Sequence, residues 1–117
     1  MPREWLDRLQ DILEAMARIR EFTAGMDLCT FRADPRTVGA VAYHILVIGE
    51  CVAHLPASLT DRHPEVPWHR IRGMRNVLAH AYYETDPTLL WAMATTSLPE
   101  LEQVIQVLFE EQHGRER

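Results

Sequence analysis

The chain has 117 residues, of which 47% are apolar and 25% charged, with a formal net charge of −5. One globular domain over residues 1–117, large enough to bury a core, is expected, and the negative balance argues against broad, nonspecific nucleic-acid binding. No run approaches the roughly 18 apolar residues of a membrane span and no signal-peptide pattern is present, so a cytoplasmic protein without membrane contact is expected.

In chain order, Pro2 suits a helix start, and Trp5, Leu6, Leu9, Ile12, Leu13, Met16 and Ile19 recur at three-and-four spacing as far as Phe22. Ala24-Gly25 ends that helix. Asp34-Pro35 is a second start signal, an N-cap followed by proline at the first helical position, and apolar positions from Val38 to Leu55 follow it. Pro56, Pro64 and Pro67 punctuate a connection with room for one short turn of helix. An amphipathic segment runs from Pro67 to Tyr83. Asp86-Pro87 then repeats the Asp-Pro start of a last helix to about Gln112, which Pro99 should kink. The expectation is an all-α fold, an antiparallel up-and-down bundle of four to five helices.

The segment from Pro67 to Tyr83 carries the chemistry. Arg75, His80 and Tyr82 place a permanent cation, an imidazole that exchanges a proton near neutral pH and a phenol within about two turns. On a helix advancing about 100° per residue, Ile71, Met74, Val77, Leu78 and Ala81 share one arc. Arg72, Arg75, Asn76, Ala79, His80 and Tyr83 fill the opposite one, and Tyr82 sits at the seam beside Arg75. The plain alternative is a solvated face that happens to hold one histidine. It must also account for the extra arginines, the amide and the small Gly73 and Ala79.

A straight helix sets Arg75 and His80 about 140° apart, too far to grip one phosphate as a pair. Either the helix loosens after Ala79, or a two-fold partner brings a second copy of the face opposite the first. The second is preferred, and it implies a homodimer.

Other constellations are weaker. Glu50 lies on an otherwise apolar helix and wants a partner, which Arg75 or Arg72 would supply, although an exposed carboxylate is the rival reading. His44 and His54 lack a third ligand at metal spacing, so neither a metal site nor a cofactor is expected. Trp5, Trp68 and Trp91 read as core or helix-start anchors. Cys29 and Cys51 read as buried, reduced thiols.

The motif Arg75-Asn76-Val77-Leu78-Ala79-His80-Ala81-Tyr82 resembles the R-x4-H-x-Y signature of HepT-like proteins, a branch of the HEPN superfamily. The resemblance extends to Phe31 with Asp34, Ile48-Gly49-Glu50, Val66-Pro67-Trp68, Ile71-Arg72-Gly73-Met74, Asp86, Leu90-Trp91 and Leu98-Pro99-Glu100-Leu101. It implies a homodimeric helical bundle with the motif helices meeting at the two-fold axis, and Arg75 and His80 as ribonuclease residues. It further implies the toxin of a type VII toxin–antitoxin pair, whose partner is an MNT-type nucleotidyltransferase that transfers AMP to a tyrosine of the toxin. Family members can carry that tyrosine between the motif Arg and His. Here the interval is Asn76-Val77-Leu78-Ala79, so Tyr82 or Tyr83 is the candidate acceptor.

Together these observations describe a metal-independent endoribonuclease acting on RNA. His80 shuttles protons, Arg75 holds the phosphate, and Asn76, Tyr82, Arg72 and Glu50 support them. The alternative is a non-catalytic helical partner of the nucleotidyltransferase.

Overall fold

The computed structural model describes residues 3–81 and 86–115; the side chains of residues 3, 77, 79–81 and 112–115 are outside the described set. Pro2, Tyr82 and Tyr83 therefore lie outside the described residues. All regular structure among the described residues is helical: α1 (Arg3–Thr23), α2 (Leu28–Arg32), α3 (Pro35–Ala53), α4 (Ala57–Thr60), α5 (Trp68–Ala81), α6 (Pro87–Ala92) and α7 (Leu98–Arg115).

Local chemistry sets the boundaries. Gly25, at φ 76°, takes the left-handed conformation that ends α1. Asp34 caps α3 by accepting from the Thr37 N–H at 3.2 Å, and Asp86 caps α6 by accepting from the Thr88 N–H at 2.9 Å, each followed by proline in the first turn. The short helix α2 was not expected from the sequence. It begins with a reciprocal cap, in which the Thr30 N–H donates to Asp27 Oδ1 at 2.8 Å and the Asp27 N–H donates to Thr30 Oγ1 at 2.9 Å. Its function is to deliver Phe31, which is fully buried with its ring 5.1 Å from that of Trp91. The one expected turn between Pro56 and Pro67 is α4. Trp68 then anchors the start of α5 by donating its indole N–H to the His63 carbonyl at 2.9 Å.

The last helix departs from a simple kink. Between α6 and α7 lies a π-helical turn, Met93–Ser97, in which the Leu98 N–H donates to the Met93 carbonyl. Pro99 follows immediately. It has no N–H for the Thr95 carbonyl and its ring crowds that carbonyl, so the strain is absorbed as a widened turn.

Four long helical stretches stack in the order α5, α3, α1, then α7. Helix α1 runs antiparallel to α3 and to α7. Phe22, at the end of α1, meets His44 early in α3 with ring centroids 5.4 Å apart, whereas Arg8 near the start of α1 faces Cys51 near the end of α3. Arg20, late in α1, pairs with Glu102, early in α7. The core is filled by Leu9, Ile12 and Ile19 from α1, Val41, Ile45, Ile48 and Val52 from α3, Ile71, Met74 and Leu78 from α5, and Leu101, Ile105 and Leu108 from α7.

Two expectations need correction. Cys29 is exposed and only Cys51 is buried, because the five-residue α2 shields Phe31 and leaves its other side to solvent. And α3, 19 residues long with a mean hydropathy of 1.3, does have the length and apolarity of a membrane span. It packs against α1 on one side and α5 on the other, which gives a buried-helix reason for that composition.

Candidate active site on helix α5

Helix α5 packs chiefly on α3, and its contacts with the remaining helices are sparse. It is helical through His80 to Ala81, with no break at Ala79 among the described residues. Gly49 of α3 brings the two backbones together: a Cβ there would stand 3.2 Å from the Ile71 carbonyl oxygen. This close approach sets Glu50 beside Arg75, whose Nη1 donates to Glu50 Oε2 at 3.1 Å. The carboxylate on the apolar helix thus has Arg75, not Arg72, as its arginine partner, while its other oxygen lies 3.8 Å from His54 Nδ1. The pair is half-buried, with 37% of the Arg75 side chain and 47% of the Glu50 side chain exposed, so it is solvent-screened and exchangeable.

Asn76 is exposed and Arg72 is half-buried, and Arg72 joins no ion pair among the described residues. Gly73 faces open space, since a Cβ built on it would meet nothing within 4 Å. Arg72, Gly73 and Asn76 therefore form an uncovered strip next to Arg75. His80 lies on the same helix, and its side chain is outside the described set, as are Tyr82 and Tyr83 entirely.

Beside Arg75 opens a depression of about 510 Å³, walled by Arg8 and Asp11 of α1, by Leu46, Val47 and Cys51 of α3, and by Glu50, Arg75 and Asn76. Two cations face two carboxylates here. Burial, with a smaller contribution from the Asp11 charge, pushes the Cys51 thiol above its usual range, while the nearby Arg8 opposes the shift. Cys51 is therefore a wall and not a nucleophile. Arg8 and Asp11 went unnoticed in the sequence. They are ordinary polar positions on α1, and only the α1–α3 packing carries them to the site.

Arg75 supplies planar N–H donors that suit a phosphate, which would take over the position Glu50 holds. Residues 12–108 match the family model of ribonuclease HepT-like proteins. The chain belongs to the ribonuclease HepT-like family. That range takes in Glu50, Arg72, Arg75, Asn76 and His80 and begins one residue after Asp11. The chain is 37% identical over 101 residues to a probable ribonuclease HepT of Thermococcus cleftensis, covering 86% of this chain and 92% of that one. It is 34% identical over 102 residues to a candidate RNase of Methanocaldococcus jannaschii, 84% of each chain. A candidate RNase of Caldanaerobacter subterraneus subsp. tengcongensis is 30% identical over 111 residues, 95% of this HepT-like chain and 96% of that one. No solved structure matches it significantly.

Proposed function

We propose that this HepT-like chain is a metal-independent endoribonuclease of the cytoplasm, the toxin of a toxin–antitoxin pair, working as a homodimer. The RNA 2′-hydroxyl attacks the adjacent phosphorus. His80 takes the hydroxyl proton and returns a proton to the departing 5′-oxygen, leaving a 2′,3′-cyclic phosphate and a 5′-hydroxyl. Arg75 neutralises the developing charge on the phosphate, a role for which a permanent, forked cation is suited. Asn76, Tyr82 and Arg72 orient the substrate, and Glu50 holds Arg75 until RNA arrives.

The observation that carries this reading is the isolation of α5. It is helical from Trp68 to Ala81 and packs chiefly on α3, leaving the strip of Arg72, Gly73 and Asn76 uncovered. A two-fold copy seated there would set Arg75 of one protomer near His80 of its partner, which a single straight helix does not do. The cognate nucleotidyltransferase would silence the site by attaching AMP to Tyr82 or Tyr83, placing an anion where the RNA phosphate binds.

Expression of the chain alone should arrest growth, and His80→Ala should abolish the arrest. Sedimentation should give a dimer at micromolar concentration. No arrest and no RNA cleavage by a well-folded dimer would favour the rival reading, a non-catalytic partner of the nucleotidyltransferase. Added mass on Tyr82 or Tyr83 after incubation with that enzyme and ATP tests the mode of silencing, and inhibition without added mass would exclude AMP transfer.

A further inference from the structure

The depression beside Arg75 does not end at α1. A second one, of about 250 Å³, opens between Glu14 and Arg18 of α1 and Tyr43 and His44 of α3. Asp11 and Val47 line both, so the two depressions adjoin along the α1–α3 seam and make a trough from Arg75 towards the Tyr43 ring with Asp11 and Val47 at its middle. Tyr43 and Glu50 are seven residues apart on α3, about 10 Å of helical rise. A nucleotide whose phosphate sits at Arg75 can reach along that length.

Tyr43 is 57% exposed, yet its ring is supported. It stands at 84° to the His44 ring with centroids 5.1 Å apart. His44 is held in turn, because its Nδ1–H donates to the Ala40 carbonyl at 2.7 Å and its ring meets that of Phe22. A buttressed aromatic ring of this kind loses little freedom when a flat partner stacks on it.

The charges decide which part of a nucleotide enters. Asp11 and Glu14 are exposed carboxylates that join no ion pair among the described residues, Glu14 accepting only from the Gln10 amide at 3.4 Å, whereas Arg18, the cation in the same wall, is paired with Glu21 at 3.2 Å. Asp11 and Glu14 repel a phosphate but accept hydrogen bonds from the exocyclic amino group of a base. Phosphates therefore stay at the arginine and bases enter the trough. We propose that this trough is the base subsite of the enzyme: Asp11 accepts from the exocyclic amino group of the base beside the scissile phosphate, and Tyr43 stacks on the next base. The inference rests on the ribonuclease reading and adds the form of the substrate. The RNA must be single-stranded, since a duplex hides these edges and faces. The base at Asp11 must be cytosine, adenine or guanine, because uracil presents carbonyl oxygens on both sides of its single N–H.

The test is to map cleavage sites on a mixed-sequence single-stranded RNA with the wild-type dimer and three variants. Wild type should cut beside amino-bearing bases and pass over uracil. Asp11→Asn should admit uracil, because the amide donates to a carbonyl oxygen. Tyr43→Ala should raise KM about ten-fold with kcat unchanged, and Tyr43→Phe should match wild type. Cleavage without base preference, with Asp11→Asn and Tyr43→Ala behaving as wild type, would overturn the subsite and leave the ribonuclease reading standing. Loss of the dimer in Tyr43→Ala would also overturn it, since a second copy would then cover the trough. A wild-type dimer that cuts no RNA would remove both.

Discussion

Gly49 lies directly beneath Arg75. A Cβ on the glycine would stand 3.2 Å from the Arg75 Cβ, 3.2 Å from the Ile71 carbonyl oxygen and 3.3 Å from the Arg75 amide nitrogen. Two of these three atoms are backbone and cannot swing aside. Gly49→Ala should therefore push α5 as a unit away from α3. Overpacking of this kind costs about 1–3 kcal/mol, against about 1 kcal/mol regained from the helix preference of alanine. Urea unfolding should show a net loss of about 1 kcal/mol. RNA cleavage should fall further than that loss implies, because Arg75 moves with the helix. Unchanged stability and activity would mean that α3 and α5 separate freely.

The roles of the charged groups separate by degree. His80→Ala should lower cleavage by about 10²–10⁴-fold, the usual range for a lost general acid/base. Arg75→Ala should be of similar severity, with circular dichroism unchanged for both variants. Glu50→Gln keeps an acceptor for the guanidinium and should cost less activity than Glu50→Ala. Because the pair is only half-buried and screened by solvent, either Glu50 change should shift stability by less than about 1 kcal/mol. A Glu50→Ala enzyme with full activity would show that Arg75 needs no holder.

Acid should loosen the connection around α2 only below the ordinary aspartate range. The Thr30 and Thr37 groups that donate to Asp27 and Asp34 hold both carboxyls below their ordinary value of 3.8. A carboxyl depressed in the folded state contributes stability above its unfolded pKa and loses it as pH falls through the folded one. Melting temperature should therefore lose these two contributions only as the pH drops below 3.8. Asp27→Asn with Asp34→Asn should flatten that part of the profile, since the amide still caps a helix without titrating. An identical acid profile in the double variant would assign the loss to other carboxylates.

The two cysteines should react in sequence. Cys29 is exposed, whereas Cys51 is buried and its thiol is held protonated by that burial. Under native conditions a thiol reagent should modify Cys29 promptly and Cys51 only on unfolding. Equal rates would show that the Arg8–Cys51 wall opens readily.

What the sequence made legible were features whose cause is local. Asp34-Pro35 and Asp86-Pro87 mark helix starts because cap and proline act within one turn, and the apolar arc of Ile71, Met74 and Leu78 does face the core. Glu50 could be seen to want an arginine, but choosing Arg75 over Arg72 required the register of α5 on α3. That register depends on Gly49, whose role is invisible until two helices touch. The Asp27–Thr30 cap was overlooked because the helix it starts has only five residues and no periodicity of its own. Arg8 and Asp11 carry no local signal at all, and only tertiary packing brings them to Arg75.

The π-helical turn at Met93–Ser97 also decides which way the end of the chain faces. In an unbroken α-helix Leu90 would share one azimuth with Leu101 and Leu108, since 11 and 18 residues both come close to whole turns. The wide turn takes in an extra residue and so rotates everything after it by about 100°. Leu90 can then look towards α2 and α3, while Leu101 and Leu108 look towards α1. The segment works as one rod with two phases. Deleting a single residue from it would give a more regular helix and a less stable protein, because one of the two leucine sets would then point away from its own neighbour.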